Sequence, residues 1–176
     1  MGTKVTAKCI KCNRVFDYLF GNIQEYDLFN TFLSIFEQKQ KNLFIKDIFF
    51  EVFKTMLKSD QKLDDLTDEY IDKLLEENYY RVQNFFFSEE ITLLQKNIII
   101  GHEIRVHTAY NTDLEPEQRE MIYLPLLKIK LLDGTEYNRR YTLNAKFVDF
   151  TQDQTFLSCC VCDEISCSII REENFE

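Results

Sequence analysis

Two cysteine pairs of the form C-x-x-C, one near each end of the chain, constrain this sequence more than any other feature. Cys9-Ile10-Lys11-Cys12 stands near the start and Cys159-Cys160-Val161-Cys162 near the finish, with residues 13–158 between them. A C-x-x-C turn can aim two thiolates at one tetrahedral ion, and two such turns complete a four-sulfur shell at metal–sulfur distances of about 2.3 Å. The pairing predicts that the two chain ends meet. Asn13 and Asp163 each follow the second cysteine of a pair. Knuckle turns need positive φ there, and after glycine these two residue types tolerate it best. Lys8, Lys11 and Arg14 would offset the negative charge of a four-thiolate centre.

The double knuckle resembles that of zinc-ribbon proteins, at the two chain ends only and with a long helical insertion between the pairs. The resemblance implies one structural zinc ion (Zn2+) held by Cys9, Cys12, Cys159 and Cys162. The chain carries six cysteines, so Cys160 and Cys167 stand as alternative ligands, the first for Cys159 and the second for Cys162.

Periodicity gives the fold class, an α+β single domain. Residues 1–22 form the N-terminal knuckle, 23–97 a helical insert, and 98–176 a small antiparallel sheet with the C-terminal knuckle. A first helix over Ile23 to Gln40 carries Phe29, Phe32, Leu33 and Phe36 at the i, i+3, i+4, i+7 spacing of one buried face. Asn42 is placed to cap a second, central helix with Ile45, Ile48, Phe49, Val52, Phe53 and Met56 on one side. Thr67 caps a third, whose stripe is Tyr70, Ile71, Leu74, Leu75, Val82, Phe85 and Phe86. Ser88 restarts a short helix. Beyond it, β-branched runs at Ile98–Thr108 predict a strand broken at Gly101. Asp133-Gly134 predicts a hairpin turn between a strand ending at Leu132 and one over Tyr137–Leu143. With 16 Phe, 9 Tyr and no Trp, the core is expected to be aromatic.

Most catalytic signatures are missing from the sequence. With 4 Gly there is no phosphate-cradling glycine loop, and no nucleophile elbow or dinucleotide fingerprint is present. His102 and His107 are five apart, whereas a zincin needs two His four apart on a helix. The net charge of −9 opposes broad nucleic-acid binding, and residues 63–120, with 14 acidic and 5 basic groups, carry the most negative net charge along the chain. No signal peptide or membrane-length apolar run is visible, so the chain is expected to be intracellular.

The sequence therefore points to a non-enzymatic, zinc-stabilised module that binds another protein through a basic surface on that partner. The preferred contact is the helix from Thr67 to Tyr80, through Asp68, Glu69, Asp72, Glu76 and Glu77, with Asp60, Asp64 and Asp65 in the acidic stretch before it. In composition the chain resembles small acidic phage inhibitors of nucleic-acid enzymes, anti-CRISPR proteins among them. One alternative is a nucleic-acid-binding zinc protein using Arg139, Arg140 and Lys146 on a basic strand surface. A second is an enzyme whose site leaves no signature in the sequence.

Overall fold

The computed structural model describes residues 2–59 and 67–175. Strands β1 (Gly2–Cys9) and β2 (Val15–Gly21) come first. Helices α1 (Asp27–Lys39), α2 (Lys46–Ser59), α3 (Asp68–Phe85) and α4 (Ser88–Lys96) follow. Then come β3 (Ile99–Asn111), β4 (Ile122–Leu131), β5 (Glu136–Asn138), β6 (Ala145–Phe147), β7 (Phe156–Cys159) and β8 (Glu164–Phe175). The strands form one sheet in the order β5-β4-β3-β2-β1-β8-β7, with β6 paired to β3. The expected mixture of a helical insert and an antiparallel sheet is present, and the sheet, at eight strands, is larger than the sequence suggested.

Two compact units are distinguishable. One takes the chain up to Tyr26, Glu103–Lys128 and the chain from Tyr137 on; the other takes Asp27–His102 and Ile129–Glu136.

In the first unit β1 is the organising strand. Its alternation turns Val5, Ala7 and Cys9 inward and leaves Lys4, Thr6 and Lys8 at least partly exposed. It pairs antiparallel with β2 on one side and with β8 on the other, so the two chain ends are neighbours in the sheet. The β1–β8 register shifts between Thr6 and Ala7, which leaves Ile170 as an extra, 60% exposed residue. The core of this unit joins Val5, Ala7 and Cys9 to Tyr18, Tyr110, Val148, Leu157 and the buried thiols of Cys159, Cys160 and Cys167. Tyr18 is fully buried and its hydroxyl donates to the Ser158 carbonyl at 3.0 Å. That bond removes the cost of a buried, unpaired O–H.

In the second unit α1 buries Phe29, Phe32, Leu33, Ile35 and Phe36, which contains the predicted stripe. Phe32 is the hub, with ring neighbours Phe36, Phe44, Phe49 and Phe86. Each fully buried phenylalanine contributes roughly 1.5–3 kcal/mol of transfer free energy. Thr67 caps α3 as expected, its hydroxyl accepting from the Tyr70 N–H at 3.3 Å.

Several expectations are corrected. α2 buries only Phe49 and Val52, while Ile45 and Met56 are exposed, so α1 and not α2 is central. Asn42 makes a local turn, accepting from Phe44 N–H at 3.2 Å, and α2 starts later, at Lys46. α4, by contrast, starts at Ser88 as expected, and the Phe87 N–H before it donates to the Glu90 carboxylate at 2.9 Å. β3 runs through Gly101 without interruption, and a Cβ added there would meet Lys130 only at an ordinary 3.7 Å. The strand expected over Tyr137–Leu143 ends at Asn138. On α3, Tyr70 lies outside the buried stripe.

Candidate metal centre

The β1–β2 connection and the β7–β8 connection each form a knuckle, and the two are built alike. In the first, Asn13 N–H donates to Cys9 O at 3.0 Å; in the second, Asp163 N–H donates to Cys159 O at 2.9 Å. Asn13 has φ 60° and Asp163 φ 56°, the left-handed geometry expected of both. Three backbone N–H groups point at sulfur: Lys11 and Cys12 at Cys9, and Cys162 at Cys159, each at 3.4 Å. Such donors stabilise thiolate over thiol.

The Sγ atoms of Cys9, Cys12, Cys159 and Cys162 lie within 4.8 Å of one another. Cys9 and Cys162 are 3.7 Å apart, Cys12 and Cys159 3.8 Å. Bonds of about 2.3 Å at a tetrahedral angle put sulfurs about 3.8 Å apart. The four side chains thus fit a tetrahedral metal ion. Cys160 and Cys167 do not join them. The buried Cys160 thiol faces the Arg119 carbonyl at 3.7 Å and burial pushes its pKa up to about 11. Cys167 is buried opposite Cys9 in the β1–β8 ladder, and burial raises its pKa as well.

The electrostatics of the four favour a cation. Burial pushes the Cys9 thiol up, but the Cys12 N–H, the Ser166 hydroxyl at 3.2 Å and the Lys11 N–H outweigh it and hold Cys9 at about 6. Burial and the neighbouring sulfurs push Cys162 up to about 12, and burial raises Cys159. Beside the Cys9 thiolate, Cys159 and Cys162 therefore ionise only with difficulty, and a divalent ion reverses that balance by deprotonating its ligands.

The surroundings hold the second knuckle in place. Asp163 Oδ1 accepts from the Tyr110 hydroxyl and from Lys146 Nζ, each at 2.6 Å, and Lys146 first, then Tyr110, draws the Asp163 carboxyl below its usual range. Arg119 donates to the Cys160 carbonyl at 3.4 Å. Lys11 pairs with Glu164 across the two knuckles. Nothing in the sequence marked Tyr110 or Arg119; the hydrogen bonds that recruit them come from residues far apart in the chain.

The other residues singled out in the sequence lie as follows. On α3, Asp68, Asp72 and Glu76 pair with Lys58, Lys54 and Lys46 of α2 at 2.8, 2.6 and 2.6 Å. Glu69 and Glu77 are exposed, as are Tyr70 and Tyr80, at 54% and 53%. Asp60, Asp64 and Asp65 lie outside the described residues. Of the basic group, Arg139 is buried, at 7% exposure, Lys146 is engaged with Asp163, and Arg140 is exposed.

His102 and His107 both lie in β3 and have unrelated surroundings. His102 Nδ1 meets Glu37 Oε2 at 3.0 Å and its Nε2 meets Ser34 Oγ at 3.3 Å. This Ser–His–Glu line, which sequence spacing did not reveal, has the order of a nucleophile, base and orienting acid. Ser34, however, sits in mid-α1, where backbone N–H groups are spent on the helix, and its hydroxyl donates to Asn30 O at 2.9 Å. These contacts join α1 to the start of β3.

Comparison with protein-family models, with curated proteins and with solved structures gives no match for this chain. No helix among the described residues is long and apolar enough to cross a membrane.

Proposed function

We propose that this protein is a non-catalytic binding module whose chain ends are locked by one structural zinc ion and which docks onto a basic surface of another protein. The observation that carries the zinc reading is the sulfur geometry: Cys9–Cys162 at 3.7 Å and Cys12–Cys159 at 3.8 Å. Four thiolates fill every position of a tetrahedral ion and leave none for water or substrate, which is the arrangement of structural rather than catalytic zinc. An all-thiolate tetrahedral shell suits zinc among the common divalent ions.

The docking reading rests on charge. The chain carries −9, and α3 presents acids on its surface beside two exposed tyrosines, a residue type enriched at binding hot spots. Because Asp68, Asp72 and Glu76 already have lysine partners on α2, Glu69 and Glu77 carry the preferred contact, with Tyr70 and Tyr80 beside them. The narrower reading, inhibition of a nucleic-acid-handling complex, is supported by composition alone.

The test is capture of a partner by the zinc-loaded protein, with the Glu69→Lys, Glu77→Lys double variant alongside. Loss of the partner in the folded variant, and in high salt, supports docking through this face. Retention of the same partner by the variant refutes it.

A further inference from the structure

A cavity of about 430 Å³ opens in the sheet-rich unit, beside Thr3 and Val5 of β1 and so at the other end of that strand from Cys9. Its size lies within the range of small-molecule sites. The wall is aromatic on one side: Phe20 packs against Phe150, ring centres 4.8 Å apart, and edge-on against His107 at 5.0 Å. Val5, Leu126 and Ile169 supply an aliphatic side.

The polar groups at this cavity narrow what it can hold. His107 Nδ1 lies 2.9 Å from the Thr108 carbonyl oxygen. A carbonyl only accepts, so Nδ1 carries the proton and Nε2 of the neutral ring keeps a lone pair. No protein donor reaches that nitrogen among the described residues. The lining holds one cation and one anion, Arg105 and Glu172, and Arg105 is already paired with Glu103 at 2.5 Å. No uncompensated positive charge remains to hold a phosphate or carboxylate, and the net charge of the chain repels anions.

We propose that this cavity binds a small, neutral, planar heteroaromatic compound that carries an N–H donor. Its ring packs against Phe20 and Phe150, and its N–H donates to His107 Nε2. The inference does not depend on the metal centre or on docking through α3.

Indole is a direct probe, because the protein contains no Trp and indole emission is free of protein background. Titrated into the full chain, indole should bind one-to-one, with emission shifting to shorter wavelength. Amide chemical-shift changes should centre on Phe20, His107 and Phe150. 1-Methylindole, which lacks the donor, should bind about tenfold more weakly, and indole-3-acetate more weakly than indole. In His107→Phe, which keeps a ring in the wall, indole and 1-methylindole should bind alike. Absence of saturable indole binding, equal binding of indole and 1-methylindole by the unaltered protein, or tighter binding of indole-3-acetate would each overturn the proposal. The ligand comparisons on the unaltered protein decide the matter even if the variant does not fold.

Discussion

Removing the metal should loosen the sheet-rich unit far more than the helical one. An ion shared by Cys12 and Cys159 closes a loop of about 150 residues, and the chain-entropy relation for such a cross-link gives about 5 kcal/mol at 25 °C. Metal–thiolate bonding adds to this, since zinc-finger peptides gain on the order of 10 kcal/mol or more from the ion. A domain is stable by only about 5–15 kcal/mol in total, so the loss should be decisive. The assay is urea unfolding of the zinc-loaded and chelated protein. A thiol reductant must be present in both, because oxidised cysteines would close the same loop. Hydrogen exchange on the same samples should show β1, β2, β7 and β8 losing protection. The amides of α1 around Phe32, in a core without any of these cysteines, should hold theirs more nearly. An unchanged urea midpoint after complete chelation would refute the reasoning, and so would equal loss of protection in α1 and β1.

Other outcomes follow from single residues. Asn13→Gly should stabilise the protein by up to about 1 kcal/mol in thermal or urea unfolding, by removing the cost of left-handed backbone from a residue with a Cβ. Asp163→Gly gains the same relief but loses the Tyr110 and Lys146 bonds, and should be destabilising by about 1–2 kcal/mol. Glu76→Lys faces Lys46 with a like charge and should lower the melting temperature, whereas Glu77→Lys, exposed and outside the α2–α3 pairs, should leave it nearly unchanged. The Thr6 hydroxyl, then Lys4, hold the Asp17 carboxyl below its usual range. Its contribution to stability is therefore complete above pH of about 3.9 and is lost as pH falls through its lower folded value. Thr6→Val should move that NMR titration upward toward the ordinary value, and an unmoved titration would contradict the assignment.

Local chemistry explains which parts of the fold were legible in the sequence. The α1 stripe, the Thr67 cap and the left-handed Asn13 and Asp163 each depend on residues within a few positions of one another. The four-cysteine group could be read across the whole chain because C-x-x-C spacing announces a shared partner. β8 is not legible as one long strand, because the bulge at Ile170 breaks its alternation and Arg171, Glu172 and Glu173 follow it. The central place given to α2 failed because an apolar count cannot say which face packs, and here Ile45 and Met56 point outward. Gly101 looked like a break because glycine is rare in strands, yet its site tolerates a Cβ. The acidic face of α3 was legible as charge, but its use by Lys46, Lys54 and Lys58 depends on how α2 packs, which no local pattern encodes. Arg139 and Lys146 looked solvent-facing for the same reason.

X-ray absorption at the zinc edge, on protein purified under reducing conditions, tests the central claim most directly. One zinc per chain with four sulfur neighbours at about 2.3 Å, lost together in Cys12→Ser, is the result expected. A reduced, folded protein free of metal, or a shell containing nitrogen or oxygen ligands, would contradict it.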